Sequence, residues 1–433
     1  MSTIYPYATL PPDATTQFDL HWLNDGSATR AETHTVFYRE VGSSTWIEQT
    51  GVTGSLMTAS STLYFYYVRI DGLKPDTQYE GEIRVASDVK TFTFQTLPSR
   101  LWRRELKVIS MQDVHIRRNT SGAWNNDVTK MDIITAEYPD LIMFAGDWIT
   151  GAGSQNTNNE TSTNANKQAD WVKNFLSRLD NNGKLVPVFY VPGNHEVGNA
   201  IWTGLSPATK EDNQQCDDFC LNKSRFEPIG SYYGQITVGN YLNIVGLDTH
   251  TEYVDVQAEW MERNLNKRTP ISIMMYHNPM FVVGDRVSSN FTPADTYDQG
   301  INQAMYWFEP VFNARNILLG LSGNIHVRKA TKKLKLSEAS ATDNIQTESG
   351  KYIVEAGPGE HSFVELGEGW TANRSTVSRW FTDYASAGDE HYYRIIVRND
   401  GYDCIDVRLS GSNETFEFPK VRTKQIISKA LMV

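Results

Sequence analysis

Apolar residues are spaced along this chain in two ways, and the change comes near residue 100. Before it, alternating segments such as Gln17-Phe18-Asp19-Leu20-His21-Trp22 and Thr35-Val36-Phe37-Tyr38-Arg39 place every second side chain on one face, the period of a half-buried strand. Turn-rich pieces separate these segments at the spacing of a β-sandwich. Thr91-Phe92-Thr93-Phe94-Gln95-Thr96-Leu97-Pro98 reads as a last strand running into a linker.

Beyond it, continuous apolar runs take over: Leu106-Lys107-Val108-Ile109-Ser110-Met111, Leu141-Ile142-Met143-Phe144, Val186-Pro187-Val188-Phe189-Tyr190-Val191 and Ile271-Ser272-Ile273-Met274-Met275-Tyr276. Between them, Lys130 to Tyr138, Trp171 to Leu176 and Gln257 to Leu265 carry apolar residues at three- and four-residue intervals, the helical period. Strands alternating with helices predict βαβ units, a core of sheets with helices outside. Lys351-Tyr352-Ile353-Val354 adds a strand, and Tyr392 to Val397 with Tyr402 to Val407 a closing hairpin. The expected organisation is an all-β domain over 1–99, an α/β domain over 100–415 and a tail of no assignable role over 416–433.

Polar residues gather where the buried runs stop. Asp113-Val114-His115, Gly146-Asp147, Gly193-Asn194-His195-Glu196 and His277-Asn278-Pro279 each follow one of the four runs, and Gly323-Asn324-Ile325-His326 comes later. An α/β sheet presents ligands at the carboxyl edge of its strands in this way. Carboxylates, imidazoles and amides are also the donors that a two-cation phosphate-cleaving site needs, with cations about 3.5–4 Å apart. A lone D-x-H or G-D turn is common and G-N-H-E rarer, but their joint order carries more than any one of them.

From about Leu20 to about Leu409 the chain resembles the calcineurin-like metallophosphoesterases, on the motif order D-x-H, G-D, G-N-H-E, H-x-P and G-x-x-H. It is more closely similar to their purple acid phosphatase-like branch, which carries a fibronectin type III-like domain in front. Gly72-Leu73-Lys74-Pro75-Asp76-Thr77-Gln78-Tyr79 resembles the tyrosine corner of that front domain, and Trp22 its core anchor. The resemblance implies an α/β fold, a two-sheet metallophosphoesterase sandwich flanked by helices with metals at the shared rim. It also implies a dinuclear phosphoric ester hydrolase, cleaving phosphomonoesters or phosphodiesters by attack of a metal-bridging hydroxide.

In that resemblance Asp113, His115 and His326 hold the first of two divalent ions, Asp147 bridges both, and Asn194, His277 and Asn324 hold the second. His195 is not a ligand but the general acid or charge stabiliser beside the phosphate. His361, after another strand, is a candidate substrate contact. The family's last motif is G-H-x-H, and Asn324 stands where its first histidine would be. An amide oxygen is a weaker, harder donor than imidazole, so among Mn, Fe, Zn and Mg the second position would favour Mn²⁺ or Mg²⁺ and hold it labilely. Thr150 stands where the purple enzymes place a tyrosine ligand, so no purple tyrosinate-to-iron colour is expected.

Composition narrows the partners. A net charge of -11 over 433 residues argues against duplex nucleic acid as partner but leaves phosphorylated small molecules or polymers as substrates. No apolar run reaches a membrane span, and the first residues lack the regions of a secretory signal, so the expected location is soluble, cytoplasmic or virion-associated. Of three cysteines, Cys216 and Cys220 are spaced either for reduced structural thiols or for a redox or metal pair, and Cys404 falls in a late strand.

Some features stay open at this level. The Asn/Thr/Ser/Gly-rich run from Gly151 to Lys167 and the stretch from Val282 to Gln299 read as loops, solvated or overhanging the site. Arg117 and Arg118 face solvent or an anionic substrate, and His250 is a loop residue or a ligand. The alternative from another class is a catalytically weakened binding or structural component of a larger assembly, such as a phage or cell-surface particle, docked through the N-terminal domain.

Overall fold

The alternating N-terminal segments form eight strands: β1 (Thr3–Thr9), β2 (Phe18–Asp25), β3 (His34–Glu40), β4 (Ile47–Gln49), β5 (Thr53–Leu56), β6 (Leu63–Ile70), β7 (Gln78–Val85) and β8 (Asp88–Gln95). In this computed structural model the described residues are 3–25, 33–56, 63–102, 104–114, 128–148, 164–178, 180–181, 183–193, 196, 233–249, 254–279, 310–311, 314, 316–323, 329–331, 334–337, 345–346, 353–356, 364–367, 381–384, 391–399, 401–408, 416–417 and 421–422.

On β7 the side chains of Tyr79, Ile83 and Val85 are buried while Gln78 and Arg84 are exposed, so one face is dry and the other wet. The dry face packs with Trp22, Val36, Phe92 and Phe94 into one core. The Tyr79 hydroxyl accepts a hydrogen bond from the Lys74 amide at 2.9 Å, pinning the turn ahead of β7.

His34 sits inside this core. Its Nδ1 accepts the Trp22 indole N–H at 3.0 Å, its ring stacks on Tyr66 at 3.7 Å between centroids, and burial pushes its pKa down to about 4. The unfolded chain holds the ordinary value of 6.5 and so binds more protons than the native state between the two. Stability from this group is therefore complete above pH 6.5 and is lost as pH falls toward 4. Melting wild type against His34→Gln is expected to show wild type losing up to about 3 kcal/mol relative to the variant over that range. A flat difference would refute it.

The buried runs follow as β9 (Leu106–Met111), α1 (Val128–Ala136), β10 (Leu141–Ala145), α2 (Asn164–Asn174), β11 (Asp180–Asn181), β12 (Lys184–Leu185) and β13 (Pro187–Val191). Next come β14 (Gly234–Val238), β15 (Leu242–Gly246), α3 (Val254–Asn264), β16 (Ile271–Met275) and β17 (Ile317–Ser322). The remainder is β18 (Lys329–Thr331), β19 (Leu334–Ser337), β20 (Ile345–Gln346), β21 (Ile353–Ala356), β22 (Val364–Gly367), β23 (Phe381–Tyr384), β24 (His391–Arg398), β25 (Gly401–Arg408), β26 (Phe416–Glu417) and β27 (Val421–Arg422).

Two sheets carry the region after residue 100. One has eleven strands in the order β26-β25-β24-β9-β10-β13-β1-β2-β6-β5, with β27 also on β25; the other has seven, β14-β15-β16-β17-β22-β18-β23. Strands β9, β10 and β13 run parallel, as do β15, β16, β17 and β22. Val108, Met143, Phe189, Ile244, Ile273 and Leu319 belong to one cluster that fills the space between the sheets. A second cluster joins Ile109, Ile142 and Val188 to Trp171 and Phe175 from the α2 segment. Strands buried on both faces have no alternation to show, which accounts for the continuous apolar runs.

The N-terminal strands do not end at a linker in space. Strand β1 lies parallel to β13, pairing Ala8 with Pro187 and Thr9 with Val188, and antiparallel to β2 on its other side. On the opposing six-stranded sheet, β12 pairs with β8. Arg104 bridges Asp76 and Asp140, and the Asn240 amide donates to the Ser99 carbonyl at 3.2 Å. The sequence shows none of this fusion. Helix α2 also reaches back to Asn164, inside the run read as a loop, and β26 and β27 pair with β25 inside the stretch read as a tail. No helix among the described residues is long and apolar enough to cross a membrane.

Candidate metal centre

The parallel strands of both sheets end at one rim. Asp113 follows β9, Asp147 follows β10 and His277 follows β16, and all three are buried. A donor atom from each lies within 4.8 Å of the other two, a cluster suited to a metal ion among the described residues. Across the join between the sheets, His277 Nε2 stands 3.2 Å from Asp147 Oδ2.

Each side chain is set by its backbone. Asp113 and Asp147 both have left-handed φ, 51° and 53°, a conformation that non-glycine residues adopt at a cost of order 1–3 kcal/mol and that concentrates at functional sites. The Asp113 amide donates to the Gly146 carbonyl at 3.2 Å, tying the two turns together. Glycines line the space where any side chain would intrude. A Cβ on Gly146, whose φ is 84°, would come within 2.7 Å of the Gly193 amide nitrogen and collide with His277 Nδ1. On Gly323 it would lie 2.8 Å from Asp113 Oδ2, and on Gly193 it would collide with Asp147 Oδ1.

The His277 ring is held as a ligand would be. Its Nδ1 donates to the Ala145 carbonyl at 2.7 Å, which directs Nε2 at the carboxylates and leaves its lone pair for a cation when the ring is neutral. Burial disfavours the imidazolium, but the Asp147 carboxylate, helped by Asp113 and the Ala145 carbonyl, pushes the His277 pKa up to about 9. Two buried carboxylates facing one imidazole therefore hold at most a single positive charge among the three, and the proton on Nε2 occupies the position that a dication would suit better. Two oxygens and an imidazole nitrogen fit the borderline and hard divalent ions.

A further carboxylate closes the Gly193-Asn194-His195-Glu196 motif. Glu196, buried, accepts the Asp147 amide and the Gly193 amide on the same Oε2, each at 2.8 Å. Asn278 donates its amide to Thr249 Oγ1 at 3.2 Å, and Gln257 from α3 bonds both backbone groups of Asp248, at 2.9 and 2.6 Å. These contacts fix the turns that leave β15 and β16. The glycine in three of the sequence motifs is the one signal that marks such a cradle from sequence.

Of the residues singled out in the sequence, Asp113, Asp147 and His277 come together here. His115, Asn194, His195, Asn324, His326 and His361 lie outside the described residues, as do Arg117, Arg118, His250, Cys216 and Cys220. Cys404 is buried in β25.

With this geometry in hand, comparison with known proteins finds the calcineurin-like phosphoesterase family matching residues 106–323. No curated protein matches the chain. Among solved structures, the crystal structure of amylomaltase from Corynebacterium glutamicum pairs with it at 10% identity and a TM-score of 0.16, over 75% of this chain and 48% of that one. The chain thus spans about half the length of that protein, and a likeness so slight carries no argument.

Proposed function

Since the chain belongs to the calcineurin-like phosphoesterase family, we propose that it is a dinuclear metal-dependent hydrolase of phosphomonoesters or phosphodiesters, working at the rim where its two sheets meet. The observation that carries this reading is the buried convergence of Asp113, Asp147 and His277 within 4.8 Å, on turns whose glycines lie too close to those three side chains to carry a Cβ of their own. When bound, divalent cations supply positive charge for the non-bridging phosphate oxygens and acidify a water molecule.

The chain's own residues do the rest. Asp113 and His277 would hold one cation each, and Asp147, whose Oδ2 stands 3.2 Å from His277 Nε2, would contribute a carboxylate oxygen to both. His115 and His326 would complete the first set and Asn194 and Asn324 the second, where the amide at position 324 would favour Mn²⁺ or Mg²⁺ and hold it weakly. His195 gives its proton to the leaving oxygen, and His361 contacts the substrate. The branch is the purple acid phosphatase-like one, and residues 1–99, joined to the rest through the pairing of β1 with β13, are its fibronectin type III-like front part. The hydrogen bond from Lys74 to the Tyr79 hydroxyl supports that last part.

The test is hydrolysis of p-nitrophenyl phosphate and bis(p-nitrophenyl) phosphate before and after chelation, with Mn²⁺ then restored. Chelation is expected to abolish release of nitrophenol and Mn²⁺ to recover it. No release above background even in Mn²⁺ would remove the enzyme reading and leave the scaffold as a binding or structural component, and release indifferent to both treatments would remove the metal dependence.

A further inference from the structure

We infer that Glu196 is a positioning residue, a carboxylate that coordinates nothing itself but holds the Asp147 ligand in the backbone conformation that metal binding requires. It stands outside the Asp113, Asp147 and His277 group. Its Oε2 is engaged by two amides, those of Asp147 and Gly193, at 2.8 Å each. One belongs to the turn after β10 and the other to the turn after β13, so a single atom joins the ends of neighbouring parallel strands.

The position of the clamp matters more than its strength. Asp147 has a φ of 53°, a left-handed conformation that this residue type leaves readily unless the surroundings impose it. Released, the Asp147 amide would turn with φ and carry its carboxylate away from His277 Nε2, 3.2 Å off. The second amide explains why the clamp is closed on the other side. Glu196 also donates its own N–H to the Gly193 carbonyl at 3.2 Å, so Gly193 is gripped through both of its backbone polar groups. Gly193 in turn lies so close to Asp147 that a methyl group there would meet the carboxylate. Gly193 and Glu196 bracket Asn194 and His195 in the chain, so the same contacts fix both ends of the segment that carries them.

A carboxylate is not needed for this task, because one carboxamide oxygen can accept the same two N–H groups. Reach is needed, because the acceptor must stand where both amides point. That separates positioning from a general effect of buried charge and from ordinary fold stabilisation.

The inference rests on the metal reading of the site, and Mn²⁺ binding to the chelated full-length protein, followed by the free-ion electron paramagnetic resonance signal, tests the two apart. Glu196→Ala and Glu196→Asp are expected to weaken Mn²⁺ binding by about ten-fold or more, and Glu196→Gln to restore it to within about three-fold. Asn316→Ala is the control, since Asn316 bonds the Asn266 and Thr269 carbonyls and Ser272 Oγ where β16 and β17 of the seven-stranded sheet begin, at the end away from the rim. It should lower the melting temperature and leave Mn²⁺ affinity unchanged.

Wild-type affinity in Glu196→Asp overturns the clamp even if Glu196→Ala does not fold. Failure of Glu196→Gln to restore binding overturns it in favour of charge. An affinity loss in Asn316→Ala matching that of Glu196→Ala reduces it to stability. If wild type binds no Mn²⁺, both the metal reading and this inference fall; if wild type binds and the Glu196 variants bind equally, only this inference does.

Discussion

Asp147→Asn is expected to lower turnover on an aryl phosphate in saturating Mn²⁺ by about 10³-fold or more, while the far-ultraviolet circular dichroism spectrum stays that of wild type. The change keeps the shape of a side chain that is buried and closely walled by Gly193, so little packing is lost. It removes the negative charge that faces His277 Nε2 at 3.2 Å. An amide also offers one oxygen where the carboxylate offers two. Losing several kcal/mol of cation-mediated stabilisation of the transition state corresponds to three or more powers of ten in rate. Comparing kcat on the two nitrophenyl esters, with metal content measured on the same samples, checks it. A variant within ten-fold of wild type would show that Asp147 is not a shared ligand.

Deleting residues 1–99 is expected to leave the rest unable to fold, not to release an independent catalytic domain. The deletion removes β1 from the middle of the eleven-stranded sheet and bares the hydrogen-bonding edge of β13. It also takes Tyr7, Leu23, Leu63 and Phe65 out of the cluster that contains Ile109, Ile142 and Trp171. Burial of one such side chain contributes about 1.5–3 kcal/mol, so together they rival the roughly 5–15 kcal/mol by which a typical protein is stable. An uncovered parallel edge also invites aggregation. Soluble yield and a thermal melt of residues 100–433 against the full chain decide the matter; a cooperative melt of the fragment near the full-length midpoint would contradict it.

What could be read from the chain beforehand follows the distance over which each signal acts. Strands β9, β10, β13 and β16 were legible because each is an apolar run stopped by ligand-type side chains, and both features are local. The convergence of Asp113, Asp147 and His277 followed from the motif order. The pairing of Ala8 with Pro187 was not legible, since a parallel partner far away in sequence leaves no mark on either strand. For the same reason the boundary near residue 99 looked like a linker, although Ser99 bonds Asn240 and Arg104 ties Asp76 to Asp140. The start of α2 at Asn164 was hidden by poor helix formers, which burial of Ala169, Trp171 and Val172 overrides. Glu196 was visible only as the last letter of a motif, because its role depends on two amides from separate strand ends.

The insertion of β1 between β13 and β2 also orders events during synthesis. The ribosome releases β1 and β2 before β13, so the edge of β1 that faces β13 stays empty until residues 187–188 emerge. At about 5–20 residues per second, that is a wait on the order of ten seconds or longer. A nascent chain stalled just before β13 would therefore display an open strand edge that the finished protein hides, the form on which a chaperone or a premature neighbour would act.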